Sequence, residues 1–139
     1  MPEIIVVGVD GSGTAARAAQ RARDLAVGLE GALHVVVAYV ADRAASSEWT
    51  PVPGDSESSA LEAARKVAGS LATEGLEIET FAVPGTPADA LMAHAEQHGA
   101  GLIVVGNRRM KGLARVLGSV ANSLAHEASC DVYIAHTVD

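Results

Sequence analysis

The chain has 139 residues, a net charge of −7, 49% hydrophobic residues, 19% charged residues and one cysteine. This length fits a single domain over 1–139, and the acidic balance argues against general attraction to nucleic acid or an anionic membrane. The single cysteine excludes an intramolecular disulfide, and the first residues enter a strand-like run without a basic leader, so we expect a cytoplasmic globular protein.

The first half of the chain alternates strand-like and helical patterns. The β-branched run 4–9 ends at Asp10-Gly11-Ser12-Gly13, which predicts a strand buried on both faces and followed by a turn. Apolar residues at helical spacing predict a helix over 14–29, and the apolar run 34–40 predicts a second strand. The polar segment 42–58 contains Trp, Pro and Gly, which predicts a long loop.

The alternation continues in the second half. Ser59-Ala60-Leu61-Glu62 fits a capping box, and Thr86-Pro87-Ala88-Asp89 combines a cap, a proline and an early acid at a helix start. The helix that starts at Thr86-Pro87 is predicted to end at Gly99. The remaining predicted elements are strands over 76–83, 102–105 and 132–136 and a helix over 119–128. The predicted buried helical positions include Leu29, Leu61, Ala64, Ala68, Leu71, Ala72, Leu91, Ala95, Ala121, Leu124, Ala125 and Ala128.

This strict β-then-α order predicts the fold class. Parallel neighbours need right-handed helical crossovers, so the pattern indicates an α/β, Rossmann-like, doubly wound sheet of five mostly parallel strands with helices on both faces. We predict the strand order 3-2-1-4-5. Strands 1 and 4 then meet at a switch point, where a ligand crevice opens at their carboxyl ends.

Positive charge is concentrated in one loop. From residue 67 onward the Lys and Arg residues are Arg108, Arg109, Lys111 and Arg115. The loop leads from a glycine-ended strand to Gly118-Ser119 at a helix start, where free NH groups and the helix dipole favour an anion. A phosphate site is the favoured interpretation, and a solvated basic loop whose glycines only form turns is the alternative.

Asp10 directly follows the first strand. Its carboxylate cannot hold a phosphate without a metal, so its functional interpretation is as a hydrogen-bond acceptor for a ribose or an adenine. The alternative is that Asp10 turns the chain or caps the first helix. Its position at the switch point favours the first interpretation.

Other nucleotide motifs fit poorly. Gly8-x-x-Gly11-x-Gly13 differs from the dinucleotide spacing G-x-G-x-x-G, although Asp42 stands where a ribose-binding acid is possible. The sequence contains no G-x-x-x-x-G-K-[ST] run. Neither a dehydrogenase nor a P-loop hydrolase is therefore supported.

Metal and thiol chemistry are also disfavoured. His94 and His98 lie four residues apart on one predicted helix, but no third ligand is evident, so a surface pair near the helix end is favoured. Cys130 has His126 nearby in sequence and is interpreted as a small core residue opening a buried strand. We assign no metal ligand, no catalytic residue and no role for Trp49.

The loop motifs together resemble the universal stress protein family over the whole chain. They are Val7-Gly8-Val9-Asp10-Gly11-Ser12, the turn Gly85-Thr86-Pro87, and Gly106-Asn107-Arg108-Arg109 leading to Gly118-Ser119-Val120. In the nucleotide-binding branch the glycine loop reads G-x2-G-x9-G-[ST] and contacts phosphates and ribose. The resemblance implies nucleotide-binding roles for Val9, Asp10, Val40, Val105, Gly106, Arg108, Arg109, Gly118, Ser119 and Val120.

The chain departs from that pattern at two points. Arg109 replaces the second loop glycine, and eight residues rather than nine separate it from Gly118. An arginine can restrict close backbone approach or supply a charged contact to phosphate, and both interpretations stay open.

The resemblance implies an adenine nucleotide, ATP first, with Mg²⁺ bridging its phosphates, and a homodimer paired through the last strand. We expect a binding and signalling module rather than an enzyme, since no general base or nucleophile is placed. The alternatives are a ligand-free dimer acting through protein partners and a slow ATP hydrolase. Nucleic acid and membranes are not expected partners.

Overall fold

A computed structural model describes residues 3–10, 13–40, 56–107 and 118–136. In chain order the elements are β1 (Ile4–Gly8), α1 (Gly13–Gly28), β2 (Ala32–Tyr39), α2 (Glu57–Leu71), β3 (Ile78–Pro84), α3 (Pro87–His98), β4 (Leu102–Gly106), α4 (Ser119–Glu127) and β5 (Asp131–Ala135). The strands form one parallel sheet in the order β3-β2-β1-β4-β5. The predicted fold class and strand order are confirmed.

The two faces of the sheet bury separate helix pairs. Strand residues alternate between faces, so Ile5 and Val7 pack with α1 and α2, whereas Val6 packs with α3 and α4. Alanine supplies much of the helical surface in both layers, as at Ala22 and Ala121. Aromatic residues make up only 3% of the chain. Small side chains let the helix axes approach the sheet closely, so the core is filled without bulky rings. No helix among the described residues is long and apolar enough to cross a membrane.

Helix boundaries follow local capping. The predicted cap of α3 is confirmed, because Thr86 Oγ1 accepts a hydrogen bond from the Asp89 NH at 3.3 Å and Gly99 ends the helix at φ 65°. The predicted capping box at 59–62 is wrong. Ser56 caps α2 instead, since its Oγ accepts from the Ser59 NH at 3.1 Å, and Ser59 lies inside the first turn. Residues 56–58 therefore belong to α2 and its cap, and the rest of the predicted loop, 42–55, lies outside the described residues.

Three predicted core positions are exposed. Leu29 is 54% exposed because α1 ends one residue earlier. Ala72 is the C-cap of α2, and Ala125 lies on the outer side of α4 beside the buried Leu124. Periodicity alone overextended these helical faces, because it does not mark where a helix leaves the sheet.

The turn after α1 places a side chain in an unfavourable conformation. Glu30 has φ 54°, the Glu30 NH bonds to the Val27 carbonyl, and the Gly31 NH bonds to the Ala26 carbonyl at 2.8 Å. These bonds form a Schellman motif, whose left-handed position favours glycine. Gly31 itself is required, because a Cβ there would overlap the Glu3 carbonyl oxygen.

We expect Glu30→Gly to raise the free energy of unfolding by about 0.5–1 kcal/mol, because glycine removes the steric cost of the left-handed conformation. Gly99→Ala is the reverse substitution used as a control, since Gly99 has φ 65° with open space around the added methyl group. We expect this variant to be less stable than the wild type by a similar amount. Urea denaturation of both variants measures the difference. Equal stability of Glu30→Gly and wild type would contradict the strain.

Candidate functional site

The carboxyl ends of β1 and β4 lie side by side. In their register Val6 pairs with Ile103 and Val7 pairs with Val104, so both strands end at the same edge of the sheet. The winding also reverses here, because β2 and β3 lie on one side of β1 whereas β4 and β5 lie on the other. This is the switch point at which α/β sheets open a ligand crevice.

The end of β1 is anchored before it reaches Asp10. Val9 is 6% exposed, and its NH donates to the Val36 carbonyl at 3.0 Å. Gly8 lets α3 approach, because a Cβ there would lie 2.7 Å from Leu91 Cδ1. Asp10 follows as an exposed residue at the carboxyl edge. A rigid strand end thus presents the predicted acceptor.

The end of β4 is held by its outer neighbour. Val105 is buried and Gly106 is half-buried. The Asn107 NH donates to the Ala135 carbonyl at 3.0 Å, and Asn107 Nδ2 lies 3.3 Å from His136 Nδ1. The chain therefore enters the basic loop from a fixed point. The predicted Arg108 and Arg109, with the rest of 108–117, lie outside the described residues.

The start of α4 has the features of an anion site. Gly118 is its N-cap in an extended conformation, with no side-chain cap among the described residues and no acid in the first turn. The Ser119 side chain is exposed, whereas Val120 packs against the core. Because α4 follows β4 and leads to the parallel β5, the helix begins near the carboxyl edge of the sheet. The NH groups of its first turn can bind negative charge there.

Val40 lies at the same edge, one residue beyond β2, and is 49% exposed. The preceding Tyr39 carbonyl accepts a hydrogen bond from the Gly85 NH at 2.8 Å, which joins the β2 and β3 ends. The strand ends thus bring Val9, Asp10, Val40, Val105 and Gly106 to one edge.

The structure overturns the interpretation of His94 and His98 as a plain surface pair. His94 is 3% exposed, and its Nε2 lies 3.0 Å from Nδ1 of the equally buried His34. Burial, followed by the neighbouring His98 and His34, lowers the pKa of His94 to about 4. The third histidine was missed because it stands on a distant strand. The available signal was that His34 lies in an apolar run predicted to be a strand, where a histidine is open to burial.

Cys130 precedes β5 and is partly buried against the α3 and α4 side of the core. Burial, and then the charge of Asp131, raises the pKa of its thiol. An activated nucleophile needs the opposite shift. The interpretation of Cys130 as a packing residue therefore agrees with its surroundings, although it lies just before the strand rather than in it.

Comparison with known proteins gives the family. The universal stress protein family model matches residues 1–136. The universal stress protein Rv1636 of Mycobacterium tuberculosis is 34% identical over 142 residues, covering 96% of this chain and 95% of the relative. A solved universal stress protein in complex with cAMP is 31% identical with a TM-score of 0.75, covering 99% of both chains. Another, from Lactobacillus plantarum, has the same fold with a TM-score of 0.74 at 24% identity, over 95% of this chain and 96% of that one. The chain therefore belongs to the universal stress protein family.

Proposed function

We propose that this protein binds an adenine nucleotide, with ATP as the preferred ligand, at the switch point between β1 and β4, and that it acts as a stress-response signalling module. The observation that carries the proposal is the shared edge formed by the ends of these two strands. Asp10 follows one of them, and Asn107 follows the other. Ligands of doubly wound sheets bind at such an edge.

The chemistry along this edge suits the two ends of a nucleotide. The carboxylate of Asp10 accepts hydrogen bonds from ribose hydroxyls, and the exposed Val40 offers an apolar contact for the base. The Ser119 hydroxyl and the NH groups of the first turn of α4 donate to phosphate oxygens. In this arrangement the hydrogen-bond acceptor Asp10 contacts the nucleoside, whereas the hydrogen-bond donors at the start of α4 contact the phosphates.

The sequence between Asn107 and Gly118 adds four positive charges and no acid. These charges favour a polyphosphate over a monophosphate. Since the loop supplies no carboxylate for a metal, Mg²⁺ enters bound to the phosphates of ATP. In this proposal Arg109 contributes charge where other family members use a glycine.

The relative in complex with cAMP supports the ligand class. It is 31% identical and covers 99% of both chains, and cAMP is an adenine nucleotide with one phosphate. Cyclic AMP is therefore the second ligand to compare with ATP.

Calorimetric titration with ATP, ADP, AMP and cAMP, each with and without Mg²⁺, tests the proposal. We expect saturable binding, strongest for ATP with Mg²⁺. GTP, which carries a different base on the same triphosphate, is the control for base recognition and should bind more weakly. Phosphate release in the same samples tests slow hydrolysis, which the proposal does not require. Absence of binding by every adenine nucleotide would reject the proposal and favour a ligand-free protein acting through partners.

We further propose a homodimer through β5. This strand is an edge of the sheet, and its Tyr133 is 37% exposed. Exposed strand edges pair readily with another chain, and pairing two copies of β5 would extend the sheet across both subunits. Sedimentation equilibrium should give twice the 14.1 kDa chain mass. A single-chain mass at micromolar concentration would contradict the dimer.

A further inference from the structure

Three histidines gather at the opposite end of the sheet from the carboxyl ends of β1 and β4, where nucleotide binding is proposed (the nucleotide edge). His34 lies near the start of β2 and points to the same face as Val36, towards α3. His94 and His98 lie one turn apart near the end of α3, so they share a face of that helix. Val40 lies six residue steps beyond His34 along extended chain, or about 20 Å. The cluster is therefore separate from the proposed nucleotide site.

The ring nitrogens of this cluster converge. One nitrogen from each of His34, His94 and His98 lies within 4.8 Å of the other two. His34 Nδ1 and His94 Nε2 are 3.0 Å apart. Ligand nitrogens of a tetrahedral zinc site, bound at 2.0–2.1 Å, are roughly 3.3 Å apart. The buried pair is already near this spacing, and the partly exposed His98 can rotate to close the remaining gap.

A carboxylate stands behind the first histidine. Glu79 Oε2 on β3 lies 3.2 Å from His34 Nε2. If His34 Nε2–H donates to this oxygen, the lone pair of Nδ1 points towards His94. Metal-binding histidines commonly donate their second NH to a carboxylate in this way, which fixes both the tautomer and the ring orientation. Glu79 thus prepares His34 as a ligand through Nδ1.

The two buried histidine rings lie in largely apolar surroundings, since each is 3% exposed. The Phe81 ring packs at 4.8 Å from the His34 ring and at 4.4 Å from the His94 ring, between ring centroids. A chain of hydrogen bonds from His94 Nε2–H to His34 Nδ1 and from His34 Nε2–H to Glu79 accounts for two of the rings and the carboxylate. It does not account for the third nitrogen, from His98, within 4.8 Å of the other two.

We propose that His34, His94 and His98 bind a divalent transition metal ion, best fitted by Zn²⁺, with Glu79 orienting His34 and water in the fourth position. Imidazole ligands suit zinc and neighbouring transition metals, whereas Mg²⁺ and Ca²⁺ require oxygen ligands. Three histidines with one open position are a known zinc geometry. The partial exposure of His98 gives water access to that position.

The first test is Zn²⁺ competition against a chromophoric chelator, using full-length protein freed of any polyhistidine tag. We expect one equivalent bound by the wild type and at least about 100-fold weaker binding by His98→Ala, which removes a partly exposed ligand and should leave the fold intact. Glu79→Gln should weaken binding about 10-fold, as loss of an orienting carboxylate does. The matched control is His126→Ala, which removes an exposed histidine from the end of α4. It should bind Zn²⁺ as the wild type does.

A second measurement identifies the ligand atoms. Long-range ¹H–¹⁵N spectra of the zinc-loaded protein should show metal on Nδ1 of His34 and on Nε2 of His94, with a proton on His34 Nε2. Wild-type affinity in His98→Ala, equal loss in His126→Ala, or metal on His34 Nε2 would each overturn the proposal. Because the cluster is separate from the nucleotide edge, His98→Ala should bind nucleotide normally.

Discussion

Asp10→Ala is expected to weaken ATP binding by about 10- to 150-fold. A hydrogen bond to a charged group contributes about 1.5–3 kcal/mol, which corresponds to this range of dissociation constants. Asp10 lies at the carboxyl end of β1, where the buried Val9 fixes its backbone. Alanine removes the acceptor. Calorimetry at fixed Mg²⁺ measures the loss, and thermal unfolding of the unliganded variant checks its fold.

Two controls separate hydrogen bonding from charge. Asp24→Ala removes the same charge from an exposed position on α1 and should leave ATP affinity unchanged. Asp10→Asn keeps one oxygen acceptor and should give an intermediate loss. If Asp10 acted mainly by repelling phosphate, both Asp10 variants would bind ATP more tightly. That result would contradict the assigned role.

The fold was predictable because the pattern is redundant. Most strands are short apolar runs, the helices carry alanine-containing buried faces, and strict alternation leaves few topologies. Boundaries were less certain, since they depend on single contacts. Ser56 and Ser59 are both good caps in sequence, and only the backbone conformation of Ser56 identifies the cap that is used. Leu29 likewise continued a helical pattern beyond the point where α1 stops.

The two candidate sites differed in how visible they were in the sequence. The proposed nucleotide site follows from strand order, because residues after β1 and β4 must meet once those strands are neighbours. The histidine cluster joins β2 to α3, sixty residues apart. Spacing within α3 revealed only two of its members. Finding the third requires knowing which face of β2 lies under α3, and sequence periodicity does not assign that contact.

Lowering the pH from 7.5 to 5.0 is expected to reduce the free energy of unfolding by about 2 kcal/mol through His94 alone. Its pKa is lowered from 6.5 to about 4, first by burial and then by the neighbouring His98 and His34. In the unfolded chain His94 is therefore protonated below about pH 6.5, whereas in the folded chain it stays neutral until the pH approaches 4. Well above pH 6.5 this group does not affect stability. As the pH falls below 6.5 the free energy of unfolding decreases, and the decrease approaches about 3 kcal/mol near pH 4.

The other groups facing His94 modify this profile. His34 also has a lowered pKa, caused mainly by burial, which acts in the same direction, while the charges of Glu79 and Glu77 oppose that shift. Urea denaturation with a chelator present, at several pH values between 7.5 and 5.0, measures the total. His94→Gln cannot take up the proton, so its stability should fall by about 2 kcal/mol less than that of the wild type over this range. His126→Gln, a change at an exposed histidine on α4, should keep the wild-type profile. Parallel profiles for His94→Gln and wild type would show that His94 is not held neutral by the fold.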